Sequence, residues 1–283
     1  MRERKLFRFN SSEDSTMWYT NRELLRTKIS ELRSKLSEDG TFYDGWNFWI
    51  YSDSKDLDLI WKEAEKLGLK PEIGSFKMEY TKKDFNQAKY SMLSIAIFGK
   101  ADYTESYETK YAEVSKCERC GKPLLKQDSE LYIDKALFSG KDIGITSNRE
   151  IVVSEGLKGL IENAELTGVE FADVKHKNTR IKNDFNVYQM LIKDTLNEMD
   201  KSTTVYYDPM GYCNLCKTHG QVLTSLPKYR DSDMEFIKDF NLTKEYFGGG
   251  DSGYQSIIIT KKVHDLLVKN KIKGCKYDIV LTV

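Results

Sequence analysis

The sequence predicts an α+β fold: an N-terminal α+β domain over residues 1–110, then a C-terminal domain over residues 111–283 built from a duplicated module. Three observations predict it. Helical and strand-like patterns alternate through the first hundred residues. An apolar pattern recurs without a gap near the C-terminus. Two Cys-x-x-Cys pairs stand ahead of the two copies of that pattern. At 283 residues the chain can bury one large core or two modest ones.

In the first region, Thr20 and Glu23 have the spacing of a capping box, and Leu24, Leu25, Ile29, Leu32 and Leu36 follow at helical intervals until Gly40. Trp46 to Tyr51 is an aromatic, strand-like run. Asp53 or Ser54 is the expected cap of a second helix carrying Leu57, Ile60, Trp61, Ala64 and Leu67; Gly68 suits its C-terminal turn and Pro71 stops it from resuming. Ile73 to Tyr80 and Met92 to Phe98 read as further strands.

The repeat lies at 151–174 and 257–280. Ile151-Val-Val-Ser154 is followed by Leu157, Leu160, Ile161, Leu166, Gly168, Val169 and Phe171. Ile257-Ile-Ile-Thr260 is followed by Val263, Leu266, Leu267, Ile272, Gly274, Cys275 and Tyr277, each the same 106 positions on (257 − 151). Both copies read strand, Ser or Thr cap, amphipathic helix, glycine turn, strand. Two unrelated segments of this common type are the plainer alternative.

Cys117-Glu-Arg-Cys120-Gly121 has the form of a zinc knuckle. Two thiolates separated by two residues can grip one tetrahedral ion, and the glycine permits the left-handed backbone of the turn. Cys213-Asn-Leu-Cys216 supplies a second pair, so Cys117, Cys120, Cys213 and Cys216 are the expected ligands of one structural zinc shared by the two modules. A site closed by four thiolates leaves no position for water or substrate. Lys217 stands where a second glycine is expected, and His219 is near enough to be an alternative ligand. Paired redox motifs are the competing account, but neither Cys-x-x-Cys sits between a strand and a helix N-terminus, as that chemistry prefers. Cys275 aligns with Val169 and reads as a small buried hydrophobe.

Composition narrows the function. Lys and Arg total 44 against 44 Asp and Glu, and this balance argues against a general nucleic-acid binder while leaving room for a local patch. The N-terminal charges lead into no apolar run, and no stretch approaches the ~20 apolar residues of a membrane helix, so a cytoplasmic, reducing location away from membranes is expected. There, paired cysteines point to metal more than to disulfides. Gly248-Gly249-Gly250-Asp251-Ser252-Gly253 leads into a strand, not a helix, and so reads as a surface loop in place of a phosphate loop. The three histidines, His176, His219 and His264, fall in no catalytic motif, and no tuned acid, base or nucleophile stands out, so a non-enzyme is expected. Lys175, His176, Lys177, Arg180 and Lys182 form one basic stretch; Lys261, Lys262, Lys269, Lys271 and Lys273 form another. Tyr80, Tyr90, Tyr103, Tyr107 and Tyr111 lie among charges and are candidates for a contact surface.

Over residues 80–283 the chain resembles the bacterial double-CXXCG motif proteins and the related immunity protein 43 group. The likeness is carried by Tyr80-Thr-Lys-Lys-Asp-Phe-Asn-Gln-Ala-Lys-Tyr90, the first knuckle through Gly121, Ile151 to Phe171, the second knuckle, Thr243-Lys-Glu-Tyr-Phe-Gly248 and Ile257 to Gly274. The resemblance implies an antidote that binds and blocks a cognate protein toxin, with the four cysteines as metal ligands and no catalytic residues. The alternative from another class is a zinc-containing regulatory or nucleic-acid-associated protein.

Overall fold

The computed structural model describes residues 1–11, 22–36, 42–44, 47–98, 108–176, 186–208, 211–248 and 253–283. Thr20, Gly40, Trp46, Tyr103, Tyr107, Lys177, Arg180, Lys182 and positions 249–252 lie outside them. The chain is mixed α+β and divides into two compact units: Met1–Gln87 with the short segments Thr204–Tyr206 and Val222–Ser225, and the remainder from Ala88 onward.

The first unit contains β1 (Arg2–Ser11), α1 (Arg22–Ser34), β2 (Phe42–Asp44), β3 (Asn47–Tyr51), α2 (Asp56–Lys66), β4 (Leu69–Glu79) and α3 (Lys82–Gln87). Its sheet is antiparallel in the order β2-β3-β1-β4. Ile29 and Leu32 of α1 meet Ile60 and Ala64 of α2 over Ile50 and Leu69, so the helical spacing seen in the sequence is the spacing of the core. The second helix is capped at Lys55, one residue after Ser54 and two after Asp53, and Ser54 Oγ accepts the Asp56 N–H at 3.2 Å. Gly68, at φ +66°, ends the turn after it and the chain passes directly into β4.

Glu63 of α2 accepts hydrogen bonds from Lys35 (2.8 Å) and Lys66. These bonds, Lys35 first, hold its carboxyl down from 4.5 to about 2. A carboxyl with a depressed folded value stabilises the fold above its ordinary value and loses that contribution as pH falls through the folded one. The Glu63→Gln variant is therefore expected to flatten the acid side of the stability profile between about pH 4 and pH 2, read by urea titration at each pH.

The second unit contains β5 (Tyr90–Ile95), β6 (Tyr111–Lys116), β7 (Pro123–Gln127), β8 (Leu131–Ile133), β9 (Ile143–Ile145), β10 (Ile151–Ser154), α4 (Glu155–Asn163), β11 (Val169–His176) and β12 (Val187–Ile192). The chain then forms β13 (Val205–Tyr207) and β14 (Gln221–Leu223), most of which falls in the segments Thr204–Tyr206 and Val222–Ser225 of the first unit, and the second unit continues with β15 (Lys228–Tyr229), α5 (Asp231–Met234), β16 (Phe240–Phe247), β17 (Tyr254–Thr260), α6 (Lys261–Lys269) and β18 (Cys275–Thr282). Two five-stranded sheets form, β8-β11-β12-β10-β9 and β15-β18-β5-β17-β16; β6–β7 and β13–β14 are separate two-stranded ribbons. The organisation of the sequence changes near residue 110, but β5 lies before that point and pairs with β17 and β18, which groups residues 88–110 with the second unit.

One apolar cluster joins the two sheets and their helices: Leu93, Ile151, Val153, Leu157, Ile161, Met190, Ile257, Ile259, Val263 and Leu267 are all buried in it. The repeated apolar positions are thus mostly core positions of one structure. Ser154 caps α4 as the sequence suggests, its Oγ accepting the Leu157 N–H at 3.2 Å. Thr260 has the same extended backbone before α6, but its hydroxyl donates to Asp239 Oδ1 at 2.7 Å instead.

A matched set of contacts links residues ahead of each repeated segment to the other segment. Asp142 Oδ2 accepts the Lys273 N–H at 2.8 Å, and Asp239 Oδ2 accepts the Thr167 N–H at 2.9 Å. The Ile143 N–H donates to Lys273 O at 3.2 Å and the Phe240 N–H to Thr167 O at 3.1 Å. Gly168 (φ +88°) and Gly274 (φ +109°) follow the two acceptors, and a Cβ on either would sit 2.2 Å from Phe240 O or 2.0 Å from Ile143 O. Glycine is required there both by the left-handed backbone and by the close approach of another strand's carbonyl.

Candidate metal centre

The centre is made by two turns. Cys117 and Cys120 lie in the turn of the β6–β7 ribbon, and Cys213 and Cys216 lie between β13 and β14. Each turn closes in the same way: the Gly121 N–H donates to Cys117 O at 2.8 Å and the Lys217 N–H to Cys213 O at 2.9 Å. Gly121 has φ +71° and Lys217 has φ +55°. The left-handed position that the sequence leaves without a glycine is therefore occupied by lysine. That conformation costs a residue with a Cβ ~1–2 kcal/mol, and glycine gives back part of this through its looser unfolded state. Lys217→Gly is accordingly expected to raise the stability of the unit by ~0.5–1 kcal/mol, checked by denaturant titration.

The four Sγ atoms all lie within 4.8 Å of one another. Cys117 and Cys213 are 3.8 Å apart, as are Cys120 and Cys216. A tetrahedral ion with metal–sulfur bonds of about 2.3 Å has sulfur–sulfur edges of about 3.8 Å, so these two of the four cross-turn edges have the length such an ion sets. A disulfide needs about 2.05 Å, and all five cysteines are free thiols. The four cysteines could hold one metal ion, and no other such cluster of His, Cys, Asp or Glu occurs among the described residues.

The backbone around the sulfurs favours thiolate. Cys213 Sγ accepts the N–H groups of Cys216 and Leu215, and these bring its thiol down to about 6. Cys117 accepts the corresponding pair, Cys120 and Arg119, and is lowered too. Cys120 accepts the Lys122 N–H, but burial and its three thiol neighbours outweigh that bond and push it up to about 11. A cation at the centre would remove the repulsion among the sulfurs, which is what a four-thiolate donor set is suited to. Arg119 donates to Asn214 and ties one turn to the other. Thr218 Oγ1 donates to Cys216 Sγ at 3.3 Å, and His219 Nδ1 lies 3.9 Å from the same sulfur. His219 thus stands behind a ligand position while all four cysteines occupy the centre.

The other candidates fall elsewhere. Cys275 packs against the main core, with Sγ 3.2 Å from Tyr277 Oη, and is no part of the quartet. His264 is buried; its ring meets Tyr277 edge-on at 4.9 Å and its Nδ1 lies 3.1 Å from Asp265. His176 Nδ1 accepts the Lys135 N–H at 3.2 Å. Three of the tyrosines proposed for a contact surface serve the fold: Tyr80 packs on Phe85, Tyr90 donates to Met234 O at 2.8 Å and Tyr111 bonds to Glu150. Gly248, at one end of the glycine loop, exchanges backbone bonds with the second turn, its N–H donating to Gln221 O (2.8 Å) and its O accepting from Gly220 (2.9 Å).

Sequence reasoning did not foresee the exposed apolar residues around the centre. Leu215 is 60% exposed beside Cys216, and the ribbon carries Val114 at 59%, Leu124 at 43% and Leu125 at 49%. Strand alternation would hide one face of a ribbon packed on a core; here nearly every residue of both strands is exposed. Among the described residues no helix is long and apolar enough to cross a membrane. No protein-family model matches this chain, and no curated protein matches it either.

Proposed function

We propose that Cys117, Cys120, Cys213 and Cys216 bind one structural zinc ion, that residues 111–283 descend from a duplicated module, and that the protein is a cytoplasmic, non-catalytic antidote that binds and blocks a cognate bacterial toxin. The observation that carries the zinc reading is the pair of 3.8 Å sulfur–sulfur edges, each joining one turn to the other. Four thiolates fill a tetrahedral ion, so the ion would staple two distant turns and activate nothing. The duplication is supported by the ungapped repeat, the equal sheet orders and the matched Asp142 and Asp239 contacts.

A protein partner is favoured by Val114, Leu124, Leu125 and Leu215, which offer apolar area on a metal-linked arm where a self-sufficient fold would bury it. The ordered motifs shared with immunity-type proteins give the direction of the proposal, and the balanced net charge fits protein recognition better than phosphate recognition. The basic residues Lys110, Lys116, Arg119, Lys122 and Lys126 on the same ribbon favour the second reading, a zinc-containing nucleic-acid-associated protein.

Affinity purification of the tagged chain from its native host, with mass spectrometry and zinc analysis of the eluate, tests these readings together. The expected result is one zinc per chain and one dominant protein partner in equal amount, whose toxicity the chain suppresses. A partner-free protein that binds RNA or DNA with a steep salt dependence overturns the antidote reading in favour of the alternative.

A further inference from the structure

We infer that the second unit is a two-protomer assembly carried on one chain, in which each half gives its leading strand to the sheet of the other, so that the surface of either half is fitted to a second copy of that half. This rests on the duplication proposed above and goes beyond it, from common origin to mode of assembly.

The sheets carry the inference. Aligning β10 with β17 and β11 with β18 places β12 and β5 in the same central position. The registers then coincide residue by residue. In one sheet Met190 of β12 stands opposite both Ile151 and Phe171; in the other Leu93 of β5 stands opposite both Ile257 and Tyr277. Ile257 and Tyr277 are the counterparts of Ile151 and Phe171 in the repeat, and Met190 follows Leu93 by 97 positions (190 − 93). The flanking strands agree as well: Val153 opposes Ile143 where Ile259 opposes Phe240, and both β8–β11 and β15–β18 are parallel.

Chain order makes this an exchange. β5 precedes the first ribbon and so opens the first half, yet it completes the second half's sheet; β12 precedes the second ribbon and completes the first half's sheet. Each half without the other lacks its central strand, leaving facing edges of β10 and β11, or of β17 and β18, unpaired. The remaining contacts between halves are equally reciprocal. Asp142 holds Lys273 while Asp239 holds Thr167, and each turn supplies two of the four sulfurs. This is the arrangement of an isologous interface, in which residue i meets j and j meets i, with domain swapping added. Two independent segments of a common type would have no reason to share register, central-strand origin and cross-contacts.

Only residues 177–185 join the halves covalently. The test uses the full chain with a protease recognition sequence inserted in that stretch, purified intact, cleaved, and run on size exclusion in native buffer. The expected result is that both fragments elute together at the volume of the uncut chain and stay together after a chelator has removed all metal, separating only in denaturant. Fragments that elute apart in native buffer overturn the exchange; if each then keeps its own folded signature, the duplication survives while the exchange does not. Zinc content, measured before cleavage, reports on the metal reading independently. Hydrogen exchange on the unmodified chain gives a second readout: amides of Tyr90–Ile95 should be protected as strongly as those of Val187–Ile192, and exchange of either strand at loop rates overturns the proposal.

Discussion

Cys117→Ser or Cys213→Ser is expected to abolish zinc binding and to lower the stability of the second unit by ~4–5 kcal/mol. Through the proposed metal each cysteine would close a loop spanning 96 positions (213 − 117). A permanent cross-link over about 100 residues restricts the unfolded chain by ~4–5 kcal/mol in the chain-entropy model, and a metal that binds only the folded form acts in the same direction. Chelation of the parent protein should reproduce the loss. Cys275→Val is the control, because the corresponding position in the other copy is Val169; it should keep the metal and most of the stability. The measurement is a denaturant titration beside metal analysis of each variant. A Cys117 variant that retains the metal and unfolds like the parent would falsify the zinc assignment.

Gly168→Ala and Gly274→Ala are expected to destabilise the same unit by ~3–4 kcal/mol each, through strain and the loss of a local hydrogen-bond network. The new methyl would lie 2.2 Å from Phe240 O in one case and 2.0 Å from Ile143 O in the other, so a strand must retreat. That retreat takes with it the Phe240–Thr167 or Ile143–Lys273 backbone bond and loosens the neighbouring aspartate contact. Gly140→Ala separates the causes: Gly140 also has a left-handed φ, +73°, but nothing lies within 4 Å of its added Cβ, so it should show only the ~1–2 kcal/mol backbone cost. Losses of similar size at Gly168 and Gly274 are expected from their matching surroundings. A large loss at one beside none at the other would mean that the two contacts are not equivalent.

Helices and the cysteine quartet were legible in the sequence because their signals are local. Leu157 and Ile161, or Val263 and Leu267, declare an apolar face within a few turns, and a Cys-x-x-Cys pair carries its ligand spacing with it. The partner of a strand is another matter. From Tyr90 to Leu93 the strand alternates half-buried and buried positions in a way that would serve in either sheet, so nothing within it says that it joins β17 and β18 instead of β10 and β11. That information lies in the whole packing, which is why the organisation read from sequence turns near residue 110 while the compact units divide after Gln87. The conformation of Lys217 was hidden for a related reason. Composition shows only that glycine is missing, and the geometry is imposed by the Cys213–Lys217 backbone bond and by the sulfur it must aim. Tyr80, Tyr90 and Tyr111 looked exposed among their charged neighbours in sequence, but their neighbours in space are Phe85, Met234 and Glu150.

The central place of β5 also has a consequence for synthesis. Tyr90–Ile95 leaves the ribosome long before Tyr254–Thr260 and Cys275–Thr282, the strands on either side of it. At ~5–20 residues per second the wait is on the order of ten seconds or more. Throughout that time a nascent strand with two unpaired edges is open to any other extended segment, and the sheet has a high contact order that slows its closure. The last eight-residue strand of the chain must arrive before the first strand of the unit is covered. Truncations near the C-terminus should therefore be lost to aggregation during translation well before they can be judged on the stability of a finished fold.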